Sequence, residues 1–120
     1  MLVMAQDPIP DMNVSEVKLY FTNKTTEKDL ADAYAIVHNK FWWVEDNEYD
    51  YEEGTPEHEA ACAVTDEWGA LMGDYKKRIF EILTSQGVSI PVTGQSKVLE
   101  PFMARHGYVD GNGWWIKDGE

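Results

Sequence analysis

TPEHEAACAVTDEWGALMGDYKKRIFEILTSQG, residues 55–87, decides the fold. Thr55 supplies a hydroxyl N-cap, Pro56 takes the first helical position, and Glu57 and Glu59 lie at the positive end of the helix dipole. Ala61, Val64, Trp68, Leu71/Met72, Tyr75, Ile79 and Ile82/Leu83 recur at three- and four-residue steps, and Gly87 supplies a C-cap. The pattern predicts a helix over 56–85, roughly 45 Å long at 1.5 Å per residue. Gly69 and Gly73, four apart, mark either a kink or a close approach of another element.

Upstream, Thr26-Glu27-Lys28-Asp29 reads as a capping box with Asp in place of Glu. Leu30, Ala33, Tyr34, Val37, Phe41 and Val44 follow at helical spacing, predicting an amphipathic helix over 27–44 that ends in Trp42-Trp43. Residues 45–54 carry no helical stripe and are expected to link the two helices as an antiparallel hairpin. Further upstream, Val17, Leu19 and Phe21 alternate with Glu16, Lys18, Tyr20 and Thr22, the period of a half-buried strand, although the same letters suit a short helix. Residues 1–13, with two prolines and no periodicity, read as an arm preceding a single domain over 14–120.

Downstream, Val88 to Gly94 reads as a connector. Pro101 suits the first turn of a short helix covering Phe102 to His106 and closed by Gly107. Tyr108-Val109, the turn Asp110-Gly111-Asn112-Gly113 and Trp114-Trp115-Ile116 form a hairpin signal. The expected class is therefore α+β, mainly helical: a long helical hairpin, a short third helix and a C-terminal β-hairpin, with 16–22 as a candidate third strand. A winged-helix arrangement is the alternative architecture.

A chain of 120 residues, 43% apolar with five tryptophans, can bury a core without disulfides. Its single cysteine, Cys62, fits a reducing compartment. The N-terminal apolar run stops at Gln6 with no basic residue before it, and no apolar stretch approaches the ~20 residues that span a bilayer, so the expected location is cytoplasmic.

Acids outnumber bases 22 to 10, a net charge of −12 that disfavours direct contact with nucleic acid or anionic lipid. Between residues 41 and 75 lie eleven acids and no lysine or arginine; the rest of the chain nearly balances. The candidate partner-binding residues are Glu45, Asp46, Glu48, Tyr49, Asp50, Tyr51, Glu52, Glu53, Glu57 and Glu59. If Glu48–Glu52 is extended, Glu48, Asp50 and Glu52 share one side at about 6.6 Å spacing while Tyr49 and Tyr51 face the other. Such a row imitates a phosphate backbone and would occupy a Lys/Arg channel of another protein. The plainer alternative is a solvated acidic face that aids solubility.

His58 and Cys62 stand one helical turn apart, a spacing metal ligands often use, with Glu59 and Asp66 nearby; a metal-dependent enzyme using them is a third alternative, but no second cysteine or recognised metal motif accompanies them. No nucleophile elbow, P-loop or dinucleotide fingerprint occurs. No cofactor is expected, and binding is favoured over catalysis. Trp42-Trp43 and Trp114-Trp115 either wrap the core or join in one aromatic patch, the basis of an alternative in which the protein binds through apolar surface, including as a homodimer in which Gly69 and Gly73 admit a second helix.

The segments EYDYEEGTPEHEAACAVTDEWGALM and VLEPFMARHGYVDGNGWWIK, within residues 41–117 and hence about two thirds of the chain, resemble small acidic proteins encoded by bacterial prophages and conjugative elements. That group carries no family-wide activity to transfer. The resemblance implies a setting in which small acidic proteins, some of them DNA mimics, block host-defence nucleases such as CRISPR effectors, or transcription factors.

Overall fold

The computed structural model describes residues 13–110 and 115–117. The arm expected over 1–13 therefore falls, apart from Asn13, outside the described residues, as do Gly111, Asn112, Gly113 and Trp114 of the hairpin. Four helices and a two-stranded antiparallel sheet follow in the order α1 (Val14–Tyr20), α2 (Glu27–Asn47), α3 (Pro56–Ser85), α4 (Ser96–Ala104), β1 (Tyr108–Asp110) and β2 (Trp115–Lys117). The mainly helical α+β class is as the sequence predicts. Among the described residues no helix is long and apolar enough to cross a membrane.

α2 is the central element. Leu30, Ala31, Ala33, Tyr34, Ala35, Ile36 and Val37 are all buried, so its middle is covered on every side. α3 lies along one flank, and β2 packs on another. The predicted capping box at Thr26 is present: Thr26 Oγ1 accepts from Asp29 N at 3.1 Å, and Asp29 Oδ2 accepts from Thr26 N at 3.3 Å. The helix runs one turn past 44, to Asn47, because Val44 is still buried and no breaker follows it.

α3 has the predicted ends. Thr55 Oγ1 accepts from His58 N at 3.2 Å. At the far end Gly87 (φ +87°) donates to Thr84 O at 3.0 Å and Val88 donates to Leu83 O at 3.0 Å, the paired bonds of a Schellman motif. The buried stripe differs at its start: Ala61 is only half-buried, and Val64 is 43% exposed while Thr65 is buried in its stead. Thr65 Oγ1 donates to Ala61 O at 3.0 Å, so its hydroxyl is satisfied within the helix and its methyl serves the core. Gly69 marks a close approach: a Cβ there would stand 3.0 Å from Phe41 Cε1, whereas a Cβ at Gly73 would meet nothing within 4 Å. The space at Gly69 is thus filled by α2 of the same chain and does not admit a second copy.

Two expectations are corrected. Residues 16–22 are not a third strand; α1 is a helix whose Asn13 side chain accepts from Glu16 N at 2.9 Å while Glu16 Oε1 accepts from Asn13 N at 3.0 Å. Its buried positions are Val14, Val17 and Phe21, at helical spacing, and Leu19 is 77% exposed, so the alternation has no buried face. Phe21 meets Tyr75 of α3 edge to face, with ring centroids 6.2 Å apart. The third helix of the sequence reading begins at Ser96 rather than beside Pro101, and ends at Ala104 rather than His106. Pro101 sits in its interior, where it removes one bond to the carbonyl of Lys97. Both residues are exposed, while Leu99, Phe102 and Met103 bury the opposite face.

In the sheet Tyr108 faces Lys117, Val109 faces Ile116 and Asp110 faces Trp115. The hairpin is fastened to α2 by Asn39, which is fully buried: its Nδ2 donates to Trp115 O and its Oδ1 accepts from Trp115 N, both at 2.9 Å. Tyr108 adds a second tie through its hydroxyl, which donates to Asp32 Oδ1 at 2.7 Å.

Candidate partner-binding site at the acidic end of the helical hairpin

The ten sequence-predicted residues lie together at the end of the hairpin where α2 hands over to α3. Glu45 and Asp46 belong to the last turn of α2, Glu48, Tyr49 and Asp50 form one 3-10 turn, and Tyr51 to Glu53 lead to Thr55. Thr55 Oγ1 donates to Glu52 O at 2.7 Å, which holds the link against the first turn of α3, where Glu57 and Glu59 reside. Asp46, Asp50, Glu52, Glu53, Glu57 and Glu59 are exposed, and Glu45 and Glu48 are half-buried.

The extended row over Glu48–Glu52 does not form. In a 3-10 turn successive side chains are about 120° apart, so Glu48, Tyr49 and Asp50 point three ways. Tyr49 is 82% exposed and packs on nothing in the domain's core. The negative surface is thus a knob capping the hairpin, not a linear ladder. Asp66, Glu67 and Asp74, all exposed, continue it along α3.

Among the described residues none of these acids pairs with a lysine or arginine: the ion pairs are Lys28–Asp32, Arg105–Glu27 and His106–Glu27, away from the acidic end. Glu45 and Asp46 also stand at the negative end of the α2 dipole, with no basic residue in its last turn. Carboxylates there oppose the dipole, whereas Glu57 and Glu59 complement that of α3.

Cys62 reports the local field. The adjoining Glu48 carboxylate, then desolvation, then the charges of Glu48, Asp66 and Glu53 push its thiol up to about 11. Its Sγ lies 3.8 Å from both ring nitrogens of His58. Among the described residues no three His, Cys, Asp or Glu side chains converge as metal ligands.

At the opposite end of the hairpin Glu27 gathers Arg105 (2.7 Å to Nη2), Gln86 (2.9 Å to Nε2) and His106 (3.4 Å to Nε2), tying the start of α2 to the ends of α3 and α4. Partial burial raises the Glu27 pKa, but the hydrogen bonds from His106, Gln86 and Arg105 and the arginine charge outweigh it and hold the carboxyl below its usual range.

A second feature was not anticipated as a site. Tyr34, His38 and Trp42, spaced by four along α2, meet Trp115 of β2 and the Ser96–Glu100 face of α4 around a cleft of about 400 Å³. His38 Nε2 accepts from Trp42 Nε1 at 3.2 Å, which places its proton on Nδ1, 3.3 Å from Asn39 Oδ1. Trp42 and Trp43 are both partly exposed, at 43% and 45%, so the pair does not divide into one inward and one outward ring. Lys40 Nζ covers Trp43 at 4.5 Å from its centroid, leaving Trp42 to the cleft. The four-residue aromatic spacing on α2 was the available signal; the contribution of α4 carried none.

No protein-family model, no curated protein and no solved structure matches the chain.

Proposed function

We propose that the protein is a non-catalytic, cytoplasmic binding protein whose acidic end occupies a basic, nucleic-acid-binding surface of another protein. A host-defence nuclease such as a CRISPR effector is one target of that kind, and the setting implied by the resemblance to prophage-encoded acidic proteins fits it. One observation carries the reading: carboxylates converge on the hairpin end with no lysine or arginine of the same chain paired to them among the described residues. A purely structural cluster would be expected to draw counter-charges from its own surface. The opposing α2 dipole points the same way, because acids at that position cost stability.

Affinity capture from a host lysate at low and at high salt tests it. Binding through such a knob releases the counterions of a basic groove and so weakens steeply with salt. Combined Glu48→Lys, Asp50→Lys, Glu52→Lys and Glu53→Lys should abolish capture, and duplex DNA should compete for the captured partner. Association indifferent to salt and to the four reversals defeats the proposal.

A second reading rests on the partial exposure of both Trp42 and Trp43, which suits association through apolar surface. It predicts capture that survives high salt and is lost in Trp43→Ala.

A further inference from the structure

The aromatic cleft between α2, α4 and β2 is graded from a dry floor to a polar mouth. Tyr34 and Trp115, 5% and 7% exposed, form the floor with Leu99, while Trp42, Ser96 and Glu100 stand exposed at the rim. Its volume of about 400 Å³ lies within the range of small-ligand sites. Among the described residues no lysine or arginine lines it.

Three of the lining residues carry oxygen groups with no hydrogen-bonding partner among the described residues: the Tyr34 hydroxyl, the Ser96 hydroxyl and the Glu100 carboxylate. The first matters most. A phenol that is nineteen-twentieths buried normally finds a partner, and leaving one unmade is costly. Burial pushes its pKa up to about 12, so it remains a neutral hydroxyl able to accept as well as donate. Ser96 and Glu100 are four residues apart on α4 and share a face. His38 adds a wall rather than a contact, since both of its ring nitrogens are already engaged with Trp42 and Asn39.

We infer that this cleft is a binding site for a guanidinium group. The walls are aromatic side chains, whose ring faces attract a cation, and the mouth residues carry a carboxylate and a hydroxyl. A guanidinium is planar enough to stack on indole and carries five N–H donors for acceptors spread around one plane. A quaternary ammonium would stack equally well but would leave the three oxygens unserved. An anion is repelled by Glu100, and a metal ion finds only one carboxylate. The inference uses none of the acidic-end residues and stands or falls apart from them.

Calorimetric titration of the full chain separates the possibilities. The probes are N-acetyl-arginine methylamide, its neutral urea isostere N-acetyl-citrulline methylamide, choline and methylguanidinium. The arginine derivative should bind and quench tryptophan fluorescence, with the citrulline and choline compounds at least about tenfold weaker. Glu100→Gln and Trp42→Ala should each weaken the arginine derivative about tenfold, and Glu100→Gln, at an exposed position without a partner among the described residues, should leave the thermal midpoint and circular dichroism close to those of the parent. Tighter binding of the arginine derivative than of methylguanidinium identifies an arginine side chain as the source, and equal binding identifies a free guanidino compound; either supports the site. Citrulline binding as well as arginine, or no response at millimolar arginine derivative, overturns it.

Discussion

Asn39 and Trp115, 76 residues apart, exchange two hydrogen bonds of 2.9 Å, so that a side-chain amide acts as a second partner to β2, beside β1. A residue in an antiparallel strand points its N–H and C=O to the same side, so Trp115 turns both toward α2 and leaves pairing with β1 to Ile116, which faces Val109. A two-stranded hairpin is marginal in water by itself. Here the amide of a fully buried asparagine terminates its outer edge inside the protein. Asn39→Ala strands a buried N–H and C=O and opens a small void, at a cost of about 2–4 kcal/mol. Asn39→Leu refills the space without restoring either bond and should recover little of that loss. Urea unfolding of the two variants measures both, and a leucine variant as stable as the parent would show that the bonds contribute nothing net.

What could be read in the sequence was what is local. Thr55-Pro56 and Gly87 bracket α3 through bonds to residues three to five positions away, and both ends form as expected. α1 was harder because Val17 and Phe21 belong to both a two-residue and a four-residue period; only the Asn13/Glu16 capping box separates them, and Leu19 lies exposed as a result. α4 hid its start because Gln95 makes no side-chain cap, while Pro101 resembled a beginning. The concentration of acids was legible from composition, but not the 3-10 turn that scatters Glu48, Tyr49 and Asp50. Asn39 could not be read at all, and of the aromatic cleft only the four-residue spacing on α2 was legible, because the rest depends on partners more than fifty residues distant.

The contrast between Gly69 and Gly73 gives a second test. Alanine at Gly73 meets open space on an exposed helical face and should raise stability by about 0.5–1 kcal/mol through helix propensity. Alanine at Gly69 presses on the Phe41 ring at 3.0 Å and should forfeit that gain or reverse it. In a Phe41→Ala background the penalty disappears, so the double-mutant cycle should show coupling of at least about 0.5 kcal/mol. Additivity of the two changes would place α2 and α3 farther apart than described.

Cys62 offers a reading of the local potential in solution. With its thiol pushed up to about 11, the reactive thiolate is scarce at neutral pH, and alkylation by iodoacetamide should be slow and keep rising well above pH 9. Glu48→Ala removes the first cause, the acceptor beside the thiol, and should move the profile to lower pH. The folded thiol holds its proton more tightly than the unfolded one, so its contribution to stability is complete below the ordinary thiol pKa of 9.0 and is lost as pH rises toward 11. A rate that levels off near pH 8 would contradict the crowding of carboxylates around the sulfur.

Glu27 carries the opposite sign. Its folded pKa is lowered, so the stability it contributes is present above the usual carboxylate range and is lost as pH falls through the lowered value. Glu27→Gln should therefore lower the thermal midpoint at neutral pH and make little difference in strong acid. Because Arg105 and Glu27 are both more than a third exposed, added salt should shrink the effect. Equal destabilisation at both extremes of pH would assign the role of Glu27 to packing instead.

Asp46 and Glu57 carry the same charge at opposite helix ends, which separates charge kept for stability from charge kept for another purpose. Asp46 lies in the last turn of α2, at the negative end of its dipole; Glu57 lies in the first turn of α3, near unpaired N–H groups. Both are exposed, so neutralising either disturbs little packing. Asp46→Asn should stabilise by about 0.3–1 kcal/mol and Glu57→Gln should destabilise by a comparable amount at low ionic strength, both effects fading with salt. Chemical denaturation at two salt concentrations measures the pair. If Asp46→Asn stabilises the isolated protein yet weakens capture of its partner, the acid at that position is held against the interest of the fold. If it lowers stability, the dipole argument for the acidic end is lost and only the absence of paired lysines and arginines remains to support it.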